Sequence, residues 1–134
     1  YVGRTFIKPT QKERESAVHL KLSVLSSVVK GKRLVLIDDS IVRGTTMASL
    51  IRMLKDAGAT EVHVRISSPP FLFPCYYGTD VPSNDQLIAS SHTAAEICAS
   101  IGADSLGYMK LEDLKQMTGD LPLCKACFDS HYPV

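Results

Sequence analysis

The feature that most constrains the fold is a run of four apolar residues, Leu34 to Ile37, that ends in two adjacent carboxylates, Asp38 and Asp39. An uninterrupted apolar run of this length, bounded by polar residues, is typical of a buried parallel strand. Apolar residues then recur at helical spacing, at Met47, Leu50, Ile51 and Leu54. Gly58 fits the end of that helix. The predicted order is strand, acidic pair, loop and helix.

The loop between this strand and this helix carries groups that suit a phosphate ester. It runs from Ser40 to Thr46 and contains one glycine and three hydroxyl side chains. Gly44 lets the backbone approach a ligand closely, and the hydroxyls and free N–H groups of a helix start bind phosphate. Carboxylates would repel phosphate, so the acidic pair suits sugar hydroxyls or Mg²⁺. Alternatively, the two aspartates are turn residues and Thr45 is a helix N-cap.

A second strand is predicted from Glu61 to Ile66, where polar and apolar residues alternate. Strand, helix and strand without a hairpin signal indicate a βαβ unit with parallel strands and a right-handed crossover. Ligands bind at the carboxyl ends of such strands, which is where the acidic pair lies. We interpret His63 within the second strand as an ordinary half-exposed residue.

The rest of the chain begins with an irregular segment, Ser67 to Gly78, in which three prolines preclude regular structure. The elements predicted after it are a helix from Asn84 to Ala89 capped by Ser83, a helix from Thr93 to Ile101 with Thr93 as its cap, a strand from Ser105 to Met109 and a helix from Leu111 to Met117.

Four cysteines are unevenly distributed, and Cys124 and Cys127 form a C-x-x-C pair. Without a secretory signal, such cysteines indicate metal or redox chemistry rather than a disulfide framework. The pair alone leaves open a redox dithiol, a zinc site with two further ligands, or an iron–sulfur site with four thiolates. We interpret Cys98, in a predicted helix, as a small packing residue.

Charge and hydropathy exclude two classes of partner. The formal net charge of +1 gives no electrostatic case for nucleic acid or an anionic membrane surface. No apolar run approaches the ~20 residues of a membrane-spanning helix. A length of 134 residues suits one domain or part of one.

The stretch from Asp38 to Thr46 resembles the phosphoribosyl pyrophosphate (PRPP) motif of type I phosphoribosyltransferases. Its sequence Ser-Ile-Val-Arg-Gly-Thr-Thr is similar to that of the glutamine PRPP amidotransferase family. The resemblance implies an α/β fold, a partial type I phosphoribosyltransferase fold in which helices flank a parallel sheet. It implies that Asp38 and Asp39 contact the ribose hydroxyls directly or through Mg²⁺. The residues it assigns to the 5′-phosphate are Ser40, Ile41, Val42, Arg43, Gly44, Thr45 and Thr46.

The N-terminal stretch, which carries Gly3 to Ile7 and Pro9 to Gln11 and ends near Lys21 and Leu22, resembles the flexible catalytic loop of the same family. The resemblance implies that this loop closes over bound PRPP, excludes water and helps to form the path of ammonia. The residues that match its PRPP-facing or ammonia-facing positions are Tyr1, Arg4, Ile7 and Lys21. Judged from charge alone, this stretch is instead a solvated surface.

The C-terminal cysteine pair and the Tyr-Pro-Val ending resemble the iron–sulfur subclass of that family. Cys75, Cys124 and Cys127 match three of the four ligands of a 4Fe–4S cluster, and the resemblance places the fourth upstream of Tyr1. It implies a structural cluster that no step of turnover requires.

The activity that the resemblance implies is the first committed step of purine biosynthesis, in the cytoplasm. PRPP and ammonia from a glutaminase domain give 5-phosphoribosylamine and pyrophosphate. We expect the chain to be the C-terminal part of the transferase domain (loop and following segment 1–30, βαβ unit 31–70, cysteine-bearing region 71–134), inactive alone and homo-oligomeric. The alternatives are a PRPP-dependent salvage transferase, a PRPP-sensing regulator and a metal-binding module.

Overall fold

A three-stranded parallel sheet forms the centre of the computed structural model, which describes residues 26–81, 83–119 and 121–133. In the order β1-β2-β3, the strands are β1 (Arg33–Asp38), β2 (Glu61–Ile66) and β3 (Ser105–Tyr108). β1 pairs with β2 in parallel from Arg33 with Glu61 to Asp38 with Ile66. β3 pairs with β2 in parallel along its whole length. The predicted βαβ unit and fold class are confirmed.

The helices of the described residues are α1 (Ser26–Val29), α2 (Thr45–Asp56), α3 (Ile88–Ser91), α4 (Ala94–Ile101), α5 (Leu111–Thr118) and α6 (Ala126–Asp129). Thr93 caps α4, as predicted, and the structure shows that it forms a capping box with Glu96. The single helix predicted from Asn84 to Ala89 is wrong. A 3₁₀ turn, Asn84–Gln86, is separated from α3 by Leu87 in an extended conformation, and Ser83 makes no capping hydrogen bond.

The main core lies on one face of the sheet, beneath α2 and α4. Alternate residues of β2 point into it, and Val62 and Val64 are completely buried. The buried members contributed by the helices and the loop are Ile41, Met47, Ile51, Ile97 and Ile101. Because Ile41 belongs to this core, the loop after β1 is attached to the interior at its start.

The opposite face of β1 is open within the described part of the chain. Val35 and Ile37 are 65% and 73% exposed. The sequence predicts that the whole run from Leu34 to Ile37 is buried. In the described residues only the face that carries Leu34 and Leu36 is covered, because α2 and α4 both pack on that side. Within the described ranges, no helix is both long and apolar enough to cross a membrane.

A second, smaller core joins the proline-rich segment to the C-terminal part of the chain. Phe71, Val81 and Leu87 are buried in it. The Phe71 ring lies 5.2 Å from the Phe128 ring, between centroids. The N–H groups of Leu72 and Phe73 donate to the carbonyl of Cys127 at 3.0 and 3.1 Å. The segment is therefore irregular, as its prolines predict, and is held by tertiary contacts.

Candidate functional site

The acidic pair lies at the carboxyl end of β1, at the edge predicted for a ligand. Ser67, just after β2, donates its N–H to the carbonyl oxygen of Asp38 at 3.0 Å. The Asp39 N–H donates to Asp38 Oδ1 at 2.9 Å, and the Ser40 hydroxyl donates to Asp39 Oδ1 at 2.8 Å. Both aspartates are exposed. Their remaining carboxylate lone pairs face solvent, where sugar hydroxyls or a cation can reach them.

Gly44 lies immediately before α2, and its backbone is in the left-handed region with φ of 80°. It occupies the N-cap position and has no side chain to cap the helix, so the first N–H groups of α2 are left available. Thr45 and Thr46 are exposed in the first turn. The alternative that made Thr45 the N-cap is wrong, because Thr45 is already helical. An uncapped helix start beside two hydroxyls is suited to binding a phosphate.

Two loop residues are attached to a part of the chain far away in sequence. The Arg43 Nη2 atom donates to Gln86 Oε1. The Ile88 N–H donates to the carbonyl of Val42 at 2.8 Å. Sequence reasoning missed Gln86 and Ile88, because no local pattern connects them with the loop.

The four residues assigned to the flexible loop, Tyr1, Arg4, Ile7 and Lys21, lie outside the described residues. Their roles stay predictions.

Two of the three assigned cysteines contact the second core, where Cys75 and Cys127 pack against its buried residues. N–H groups of Tyr77, Thr79 and Gly78 lower the pKa of the Cys75 thiol, and the Thr79 N–H lies 3.4 Å from its Sγ atom. Burial raises the pKa of Cys127, and the nearby Cys75 and Cys124 thiols raise it further. Backbone N–H groups around a sulfur favour its thiolate form.

The cysteines do not by themselves complete a metal site. Among the described residues, no three His, Cys, Asp or Glu side chains form a group that could hold a metal ion. A 4Fe–4S cluster is held by four thiolates, and three are assigned here. The acidic pair differs in this respect, since Mg²⁺ is commonly held by one or two carboxylates together with substrate phosphates. Asp38 and Asp39 fit that mode of binding.

Another polar group lies on the open face of the sheet. His63 contacts the Ser105 hydroxyl through Nδ1 and the Glu61 carboxylate through Nε2, both at 2.8 Å. Hydrogen bonds from His63 and Arg33 lower the pKa of Glu61. These contacts link all three strands, so His63 has a structural role between strands. This role is compatible with its interpretation as an ordinary strand residue.

Comparison with known proteins gives matches along the whole chain. The family described as "Phosphoribosyl transferase domain" matches residues 1–67. The chain is 53% identical over 136 residues to an amidophosphoribosyltransferase of Synechocystis, covering 100% of this chain and 28% of that protein. It is 55% identical over 133 residues to one of Methanocaldococcus jannaschii, covering 99% and 28%.

A solved structure is also similar: the glutamine PRPP amidotransferase of Bacillus subtilis complexed with ADP and GMP. The TM-score is 0.80 at 52% identity, covering 99% of this chain and 30% of that chain. The chain thus spans less than a third of the length of these relatives, which are 28% and 30% covered.

Proposed function

Since the chain belongs to the phosphoribosyl transferase domain family, we propose that it is the PRPP-binding part of an amidophosphoribosyltransferase. The reaction converts PRPP and glutamine-derived ammonia into 5-phosphoribosylamine and pyrophosphate, at the start of purine biosynthesis in the cytoplasm. The observation that carries the proposal is the exposed acidic pair beside an uncapped helix start, in a chain 53% identical along its length to a relative of that name.

Different residues of the site bind different groups of PRPP. Asp38 and Asp39 accept hydrogen bonds from the ribose hydroxyls or hold Mg²⁺, and Ser40 to Thr46 surround the 5′-phosphate. The loop N–H groups and hydroxyls are donors, which an anionic phosphate requires. Bound Mg²⁺ would offset negative charge on the pyrophosphate that leaves. The chain's own residues fix the position of the ribose, so that ammonia meets its reacting carbon in a defined geometry.

The N-terminal residues Tyr1, Arg4, Ile7 and Lys21 would act in the same reaction by closing over PRPP. Closure excludes water from the reacting carbon and so protects it from hydrolysis. The family match from residue 1 onward supports this assignment. The ammonia would be supplied by a glutaminase domain of the same enzyme.

From the family resemblance, we assign Cys75, Cys124 and Cys127 as three of the four ligands of a structural 4Fe–4S cluster in the full-length protein, although among the described residues these thiols do not form a metal-binding group by themselves. Support comes from the shared packing of Cys75 and Cys127 and from the N–H groups that favour a thiolate at Cys75. No catalytic step passes through the cluster. Iron and acid-labile sulfide in the purified full-length protein test the assignment, and a protein that contains neither would overturn it.

The function is tested with Asp39→Asn in the full-length enzyme. We expect PRPP-dependent pyrophosphate release to fall roughly 100-fold or more, the scale of losing one electrostatic contact to a reacting group. The thermal midpoint should change little, because Asp39 is exposed. Asp56→Asn, at the end of α2, is the matched control and should keep full activity. Unchanged pyrophosphate release in Asp39→Asn would overturn the proposed function.

A further inference from the structure

The loop from Ser40 to Thr46, here called the phosphate loop, is supported by three consecutive residues of a distant segment. We call these residues, Gln86, Leu87 and Ile88, the brace. Gln86 accepts a hydrogen bond from Arg43. The Ile88 N–H donates to the carbonyl of Val42 at 2.8 Å. Leu87 is 2% exposed and belongs to the small core against which Val42 packs. Each residue of the brace is thus attached to the loop or to the core that the loop joins.

The break in the helix is what makes this attachment geometrically possible. In a continuous helix the Ile88 N–H would donate to the carbonyl of Asn84, four residues earlier. In the structure the Leu87 N–H takes that carbonyl at 3.0 Å, and the Ile88 N–H is free to reach Val42. The extended backbone of Leu87, with φ of −97° and ψ of 105°, therefore exchanges one helical hydrogen bond for one to the loop.

The brace also limits the space behind the loop. A Cβ atom placed on Gly44 would lie 3.2 Å from Ile88 Cδ1, which is closer than ordinary packing. The loop is consequently held at Val42, Arg43 and Gly44, three adjacent positions. A loop held in its binding conformation loses less conformational freedom when the ligand binds, so it binds more tightly.

We propose that Gln86 is a positioning residue for the 5′-phosphate, acting through Arg43, and that the brace preorganises the loop. This inference rests on the proposed function. Gln86 belongs to the 3₁₀ turn, whereas Arg43 belongs to the loop that meets the ligand. Loss of the Gln86 contact should therefore weaken PRPP binding and leave the chemical step nearly unchanged, which raises KM more than it lowers kcat.

The experiment compares Gln86→Met with Gln86→Glu in the full-length enzyme. Met is close to Gln in length but has no acceptor, whereas Glu keeps one. We expect Gln86→Met to raise the KM for PRPP roughly three- to tenfold, as for one lost hydrogen bond. The Glu variant should stay close to wild type. Asp85→Asn, in the same turn, is the matched control and should leave the KM unchanged.

A double variant separates positioning from general destabilisation. With Arg43→Met already present, Gln86→Met should raise the KM no further, because the interaction is already lost. The inference is overturned alone if the wild type releases pyrophosphate from PRPP and Gln86→Met has the same KM. It is likewise overturned if the Met and Glu variants raise the KM equally, or if the double variant shows additive effects. A wild type that releases no pyrophosphate overturns the proposed function and this inference with it.

Discussion

At the scale of single residues, Gly44 determines the shape of the proposed phosphate site. Its positive φ turns the chain from the loop into α2, and the missing side chain leaves room for Ile88 and Ile101. Gly102 has a similar φ of 75°, but a Cβ atom there would meet nothing within 4 Å. Substitutions at the two glycines can therefore distinguish the cost of backbone strain from the cost of steric contact.

Gly44→Ala should destabilise the chain more than Gly102→Ala does. Both replacements place a Cβ atom in the left-handed region, at a cost of about 1–2 kcal/mol. Gly44→Ala adds contacts at 3.2 Å with Ile88 and 3.4 Å with Ile101. Urea unfolding of the two variants measures the difference in free energy. Equal losses would mean that the brace moves aside without cost.

At the scale of elements, Asp104 connects β2, β3 and α2. Its Oδ2 atom accepts from the Val62 N–H at 2.7 Å and lies 3.2 Å from the Lys55 ammonium. Its own N–H donates to the Val62 carbonyl at 2.9 Å. The Val62 N–H and then the Lys55 ammonium lower the pKa of Asp104 below its usual 3.8. The connection between these elements therefore depends on a charged carboxylate.

The sign of the pH effect follows from that direction. A carboxylate whose pKa is lower in the folded state than in the unfolded state stabilises the fold at pH values above its unfolded-state pKa. This stabilisation is lost as the pH falls through the folded-state pKa. Asp104→Asn keeps an oxygen acceptor but removes the charge, so it should destabilise the chain more at about pH 6 than at about pH 3. Urea unfolding at the two pH values checks this, with Glu112→Gln on α5 as control. A loss that is equal at both values would contradict the expectation.

At the scale of the whole molecule, the open sheet face is an apolar surface that stays uncovered among the described residues. Val35 and Ile37 are largely exposed there, on an edge strand that can also pair. Apolar faces of this kind usually become covered by another chain or segment. We therefore predict that the 134-residue chain, studied alone, self-associates through this face.

Light scattering should therefore find the chain larger than a monomer. Replacing both Val35 and Ile37 with Lys should shift it towards the monomer, because charged residues on an exposed strand oppose pairing. Met117→Lys, at a 68% exposed apolar position on α5, is the matched control and should leave the association unchanged. A monomeric wild type would contradict this prediction.

Local patterns in the sequence were enough to predict the strand, acidic pair, loop and helix, and the parallel pairing of β1 with β2. Helical spacing, strand alternation and the helix cap at Thr93 involve residues close in sequence, so they can be recognised without a structure. The position of Asp38 and Asp39 at the edge of the sheet formed by the carboxyl ends of the strands then followed from the parallel topology.

Only the tertiary structure decided how the loop is held and what covers the sheet. Gln86 and Arg43 are 43 residues apart in the chain. Leu87 is extended rather than helical because its burial and the Val42–Ile88 hydrogen bond outweigh the local helix preference. Val35 and Ile37 are as apolar as Leu34 and Leu36, and their exposure depends on which face α2 and α4 pack against. Such choices are made by contacts between distant segments, and no pattern within either segment records them.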